Sequence, residues 1–531
     1  MKRKTSFTLL ILIIMVVAVG CQQTIPTDNN QPKEITIGDC ADFTGGFNII
    51  SGDDNSSLFH YTANIYETLV IYDKDGVKPW LAESWQVNEN KITFKLRENV
   101  KFSDGCDFNA TAVKTHFEVM KKTIGEQMSW FAGVSKLQKI NVISEYEVEF
   151  VYDSPYIVAL QDFTVSCPMA IMSPSCFKNN QVLEIVNTQT MGTGPYLIES
   201  FEQGKYYTFI KNENYWGDCP HVDKFTVKIL PDLESRMLAL QLGEIDIIYG
   251  QKNLSQDSFV DFKNKQGFNT KVSNAVFCTR NILFNSTKEP FNDLNVRLAV
   301  QHAINKEIIC SNLLYGLEDK ADYILNKDLP YCNVSTIPYD YNEKKALQLL
   351  TEAGYTKDSK DNFFKKNGEK LSFEILFRTG WGAEEDICQA VANQLRKIGF
   401  EVKVTGLEVM AWYGKALEGQ FQATVNDTYG IPYDPHTFLS PMLNYSADNP
   451  AQQGLKEKPE LDKSITKIFN TINKTEIQEC YSFILKTLHK SAINLPISYT
   501  KDSIVFNSNK ISDYIFEDQT RELYLRNIVL K

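Results

Sequence analysis

An α/β fold is predicted for this chain by three observations. From Glu34 onward, short runs of alternating apolar and polar residues recur along the sequence. Between them lie amphipathic helical patterns, several of which end at a glycine. This strand–helix alternation argues for α/β layers with largely parallel sheets. The third observation is composition: 43% hydrophobic and 12% aromatic residues suit a well-packed globular protein. A length of 531 residues allows about three domain-sized units.

The first twenty residues read as an address and are left out of the fold. Lys2, Arg3 and Lys4 form a basic start, and Phe7 to Val19 form an apolar stretch. That stretch is shorter than the roughly 20 residues a spanning helix needs, so residues 1–20 read as a signal peptide. Cys21 follows Ala18, Val19 and Gly20 directly, which resembles a bacterial lipobox with the cysteine lipidated. The polar run of residues 21–33 suits a solvated tether between lipid and fold. The expected location is the extracytoplasmic face of the cell membrane.

Each element then follows in order. ITIGDC reads as a strand, and NKITFKLRENVKF alternates Ile92, Phe94 and Leu96 as a half-buried strand should. In DFNATAVKTHFEVMKK, Asn109 precedes a helix that puts Val113, Phe117 and Met120 on one face. His116 reads as an ordinary residue of that helix's surface. YEVEFVYDSP is a strand ended by Pro155, and SRMLALQLGEIDII is a helix closed by Gly243 ahead of a strand. DLNVRLAVQHAINKEIICSNLLYG and NEKKALQLLTEAGY read as helices closed by glycine. LSFEILFR, FEVKVTGL and FQATVND read as strands.

Charge and motifs narrow the function. A net charge of −11 argues against nucleic acid, whose phosphates need a basic face. There is no P-loop, GxSxG or HExxH, and the six histidines (His60, His116, His221, His302, His436 and His489) are scattered singly. MGTGPYLI precedes a strand, so it cannot place phosphate on a helix N-terminus. Beyond Cys21, cysteines stand at 40, 106, 167, 176, 219, 278, 310, 332, 388 and 480 without CxxC or zinc spacing. They read as small buried hydrophobes, as a reducing habitat would allow. The balance favours binding over catalysis.

Several phrases together resemble the family-5 solute-binding proteins of ABC importers. They are the stretch from Tyr66 to Glu118, then MGTGPYLIESF, IKNENYWG, LGEIDIIYG, NVRLAVQHAINKE and KALQLLTEAGY, in the family's order. The resemblance implies a two-lobed periplasmic-binding-protein fold of the large peptide/nickel-binding type, with a hinge and an interlobe ligand cleft. Lobe I is expected over 34–276, with 503–531 returning to it, and lobe II over 277–502. It also implies permease and ATPase partners, a small-molecule ligand, a monomer and no covalent step or resident cofactor.

Within the family the nickel-binding branch is the nearest in phrasing, through YGIPYDPHTFLSPM and AQQGLKEKPELDK. Peptide-binding relatives carry an aspartate where this chain has Ile431, and a buried ammonium without a carboxylate is costly. The nickel relatives' histidine, before AD in a serine–histidine pair, is deleted here, since Ser446 is followed by Ala447. Their two ligand-gripping arginines match Gln127 and Cys167. Trp130, Tyr413 and Tyr433 match their pocket aromatics, and Tyr429 stands at a tryptophan's place. His436 matches a scaffold histidine. His60, where the family has a methionine facing the ligand, reads either as a replacement metal donor or as a solvent-facing helix residue. Cys167 is a second candidate donor, and Arg378 and Trp381 are expected to bind carboxylate and stack. These residues imply nickel carried in an organic chelate. The rival readings are a peptide or other organic-solute receptor, and an exported enzyme or adhesion lipoprotein on the same scaffold.

Overall fold

ITIGDC forms the strand Glu34–Asp39 at the middle of a seven-stranded sheet. In this computed structural model the described residues are 32–50, 56–126, 128, 131–156, 158–276, 278–357, 362–428, 435–518 and 522–531. The sheet runs in the order Tyr196–Glu202, Tyr206–Lys211, Lys224–Ile229, Glu34–Asp39, Ile247–Tyr249, Ser503–Asn507, Phe268–Val272. Its central strand pairs in parallel with both neighbours, Ile37 lying opposite Val227 on one side and Ile247 on the other. Every other pairing in this sheet is antiparallel.

The second sheet has six strands, in the order Asp319–Lys320, Asn494–Thr500, Cys278–Phe284, Ala423–Asp427, Ser372–Arg378, Glu401–Leu407. Ser372–Arg378 again pairs in parallel on both sides, and the rest is antiparallel. Parallel pairing is therefore narrower than the sequence pattern suggests. The reason is loop length: a tight turn such as the one at Gly204 (φ +75°) can join only antiparallel neighbours. A third, wholly antiparallel sheet orders Ala82–Asn88, Lys91–Leu96, Glu147–Tyr152 and Leu137–Ser144. The result is a two-lobed α/β architecture, with Cys278–Phe284 opening the second sheet and Ser503–Asn507 rejoining the first.

Local signals explain most helices. The Asn109 side chain accepts the Ala112 N–H at the start of helix Ala110–Ile124, and Gly243 closes helix Leu233–Leu242 at φ +74°. The long helix expected after Asp293 is instead broken. Helix Leu294–Ala303 stops at Ile304, whose backbone is extended, and Asn305 caps a new turn by accepting the Ile308 N–H. No described helix is long and apolar enough to cross a membrane.

None of the ten described cysteines is disulfide-linked. Six are buried, namely Cys176, Cys278, Cys310, Cys332, Cys388 and Cys480, whereas Cys219 is exposed. Burial pushes the thiols of Cys176 and Cys310 up to about 12.

His116 is not on the helix surface but fully buried against the segment before Met172. The Met172 N–H donates to Nδ1, so the ring proton sits on Nε2, which faces the Pro168 carbonyl at 3.2 Å. Burial lowers its pKa from the ordinary 6.5 to about 4. Between those values the unfolded chain takes up a proton that the native chain refuses. Stability should thus fall as pH drops from 6.5 to about 4, by up to roughly 3 kcal/mol from this residue. Chemical denaturation of wild type and His116→Gln across that window checks it, with a shallower pH slope expected in the variant.

Candidate functional site

In open α/β sheets, ligands bind outside the carboxyl ends of parallel strands, where the order of connection reverses. Both large sheets contain such a point. In the first, Glu34–Asp39 is flanked by Lys224–Ile229 and Ile247–Tyr249, so Asp39 and Tyr249 end neighbouring strands. In the second, Ser372–Arg378 is flanked by Glu401–Leu407 and Ala423–Asp427, which puts Arg378 beside Asp427. The loops beyond these ends meet. The Lys252 ammonium lies 4.3 Å from the Trp381 ring centroid, and Arg280 donates to the Gln251 side chain at 3.4 Å. The candidate site is the cleft between these two strand ends.

His60 belongs to the short helix Ser56–Tyr61 and stands on the first wall. Its Nδ1 is 3.6 Å from Asp39 Oδ2, and its ring meets Tyr61 and Tyr249 edge-on. The side chain is 12% exposed; Nδ1 is buried without a hydrogen bond, and Nε2 makes none among the described residues. Asp39 is itself held by the Tyr61 hydroxyl at 3.0 Å and the Ala41 N–H at 3.1 Å. Burial pushes its carboxyl up, but His60 and these donors outweigh that and hold it below its ordinary value.

Cys167 borders the same turn. Its sulfur lies 3.4 Å from Thr62 Oγ1, and that hydroxyl already donates to the Leu58 carbonyl at 2.7 Å. The thiol is therefore the donor to Thr62.

On the second wall, Arg378 does not offer the open guanidinium fork expected of it. Nε donates to Glu384 Oε1 at 2.8 Å, and Nη2 contacts Glu384 and also Asp427 Oδ2, the latter at 2.6 Å. Desolvation alone would lower its pKa, but the two carboxylates raise it strongly. This arginine is neutralised within the chain, because a buried guanidinium needs carboxylate partners. Trp381 projects between Gly380 (φ +73°) and Gly382 (φ +54°), backbone that glycine adopts readily. Arg378 and Lys252 both lie over its ring, at 4.7 and 4.3 Å. Tyr413 is half-buried and meets Trp412 edge-on at 5.0 Å. Gln127, Trp130, Tyr429 and Tyr433 lie outside the described residues, as do Ile431 and the lipidation candidate Cys21.

The place of the deleted histidine is structural. Asp448 is buried and accepts from Asn426 at 3.0 Å and Ser446 at 3.1 Å; burial raises its pKa. Among the described residues no group of three or more His, Cys, Asp and Glu could hold a metal ion. Asp39, Lys252, Glu384 and Asp427 were not singled out by the sequence reading. Three of them end a strand or follow one, so position relative to the predicted strands was the available signal.

His436 is buried and packs as scaffold. Its Nε2 is 3.0 Å from Asp162 Oδ1, and the Tyr156 hydroxyl donates to the other oxygen at 2.5 Å. Phe469 meets both the His436 and Tyr156 rings.

A family model, bacterial extracellular solute-binding proteins of family 5 (middle), matches residues 76–450. The chain is a family-5 solute-binding protein. This solute-binding protein is 35% identical over 446 residues to the nickel-binding periplasmic protein of Escherichia coli strain K12, covering 83% of this chain and 84% of that one. It is 28% identical over 437 residues to the oligopeptide-binding protein AppA of Bacillus subtilis strain 168, covering 78% of each. NikA from Brucella suis, solved in complex with Fe(III)-EDTA, superposes with a TM-score of 0.88 at 31% identity, over 94% of this chain and 100% of that one. Family membership makes this protein a receptor that works with ABC permease and ATPase subunits and binds small-molecule ligands, not an enzyme.

If His436 is scaffold, His436→Leu should leave Asp162 buried without its imidazole and cost about 3 kcal/mol. Ligand affinity should stay within a few-fold. Thermal melts and ligand titration of the same variant check both halves.

Proposed function

We propose that this protein is a lipid-anchored receptor that captures nickel as an organic chelate in the interlobe cleft and delivers it to the permease. The observation that carries this reading is His60. Its ring lies beside a buried carboxylate, Nδ1 3.6 Å from Asp39 Oδ2, with no hydrogen bond to Nε2 and no protein-only metal cluster among the described residues. One imidazole cannot replace the roughly six ligands that nickel prefers, so the remainder come from the chelator. Two relatives support this: a nickel-binding protein at 35% identity and a protein solved with an Fe(III) chelate at 31%. Gln127, Trp130, Cys167, Trp381, Tyr413, Tyr429 and Tyr433 line the chelate in this reading, with aromatic faces suited to a flat or cationic complex. Arg378 takes a different role from a carboxylate clamp: it stiffens the wall that carries Trp381.

The lobes in this reading are 34–276 with 503–531, and 277–502; closure buries the ligand and presents the closed form to the permease. A peptide receptor is the second reading, favoured by the AppA likeness and opposed by Ile431.

Calorimetry with free Ni(II), Ni(II)–histidine and a peptide pool tests the ligand. Free Ni(II) should bind poorly and the chelate tightly, and His60→Ala should weaken the chelate about 10-fold, or ~1.4 kcal/mol. Tight binding of free Ni(II) that survives loss of both His60 and Cys167 would exclude the chelate reading. The anchor has its own test: Cys21→Ser should release folded protein from the membrane fraction, and unchanged membrane retention would rule out lipidation there.

A further inference from the structure

We infer that Asp39 is a positioning residue for metal capture: its carboxylate turns the His60 Nδ1 inward, leaving Nε2 as the donor to the chelated metal. This rests on the proposed nickel-chelate function and extends it to a residue that never touches the ligand.

Three observations place Asp39 in that role. It is the last residue of the central parallel strand, so the backbone fixes it at the point where the first sheet's connections reverse. It is 1% exposed, and its oxygens are anchored independently of His60 by the Tyr61 hydroxyl and the Ala41 N–H. A carboxylate held this way is a rigid reference for the imidazole. Lastly, Asp39 Oδ2 is the carboxylate oxygen that faces Nδ1, at 3.6 Å.

The rest of the imidazole's surroundings leave it one orientation. Tyr61 and Tyr249 meet the ring edge-on, and the backbone turns past its Cε1 at Gly250, φ +84°. Nδ1 is buried with no hydrogen bond among the described residues, Asp39 Oδ2 standing 3.6 Å away, and Nε2 makes no hydrogen bond there either. Metal-bound histidines are commonly fixed in this manner by a carboxylate on the second ring nitrogen, which selects the tautomer and raises the basicity of the first. The sequence alternative of a solvent-facing helix histidine does not account for the buried carboxylate against which this ring is set.

The test uses the mature protein and Ni(II)–(L-histidine)2, with affinity by calorimetry and the d–d absorption of the bound complex as second readout. Asp39→Asn should weaken binding by 10-fold or more and move the d–d bands toward those of the complex in water, as His60→Ala does. In a His60→Ala background, Asp39→Asn should add little, because there is no ring left to position. Asp39→Glu should recover part of the affinity. An unshifted spectrum in Asp39→Asn, or an equal loss of affinity with and without His60, would overturn the assignment. If Asp39→Asn fails to fold, Tyr61→Phe releases one anchor of the carboxylate while keeping both partners. A band shift is then expected, and an unchanged spectrum counts against the role. Failure of the wild type to bind any nickel chelate would overturn the function reading itself. Binding lost with His60→Ala but untouched by Asp39→Asn would overturn this inference alone.

Discussion

Parallel pairing at the centre of each large sheet forces the segments that follow the paired strands to a single edge. The cleft is built from those segments. Asp39 and Tyr249 end their strands on one side, and Arg378 and Asp427 end theirs on the other. The antiparallel strands outside each trio widen the sheets but contribute no such edge. Insertions can therefore be large without disturbing the site. The third sheet and its helix occupy much of the chain between Asp39 and Tyr196, yet the first parallel pair closes in unbroken register.

The two walls solve their electrostatics differently. On the second wall the charges pair within the chain: Arg378 answers Glu384 and Asp427, while Arg280 answers Glu318 at 3.1 Å, with all of these groups largely removed from water, though Arg280 Nε and Asp427 Oδ1 stay buried without hydrogen bonds. Such pairs stabilise little relative to apolar packing but are costly to break, so they favour one arrangement of the wall. On the first wall the corresponding pair is His60 with Asp39, at 3.6 Å and without a hydrogen bond to Nδ1.

Legibility in the sequence followed range. The cap at Asn109 and the left-handed turn at Gly243 depend on neighbours within a few residues, and both were read correctly. Strand positions such as Lys91–Leu96 were legible from period-two alternation. The pairing direction was not, because it depends on which distant strand docks alongside. His116 was misplaced for a related reason: its helix buries a second face against the Pro168–Met172 segment, far away in sequence. Arg378 was chosen as a charged group near the cleft, but its fate is decided by Asp427, 49 residues on. Asp39 was overlooked because a single acidic residue at a strand end carries no local pattern.

The six buried cysteines bear on how the protein endures beyond the cytoplasm. A thiol whose pKa burial has pushed up to about 12, as for Cys176 and Cys310, is seldom thiolate at neutral pH, and thiolate is the reactive form. Oxidants and alkylating agents are held off by rarity of the nucleophile as well as by packing. Chemical durability at those positions comes from the fold itself, without disulfide formation, and oxidative wear should concentrate at the exposed Cys219.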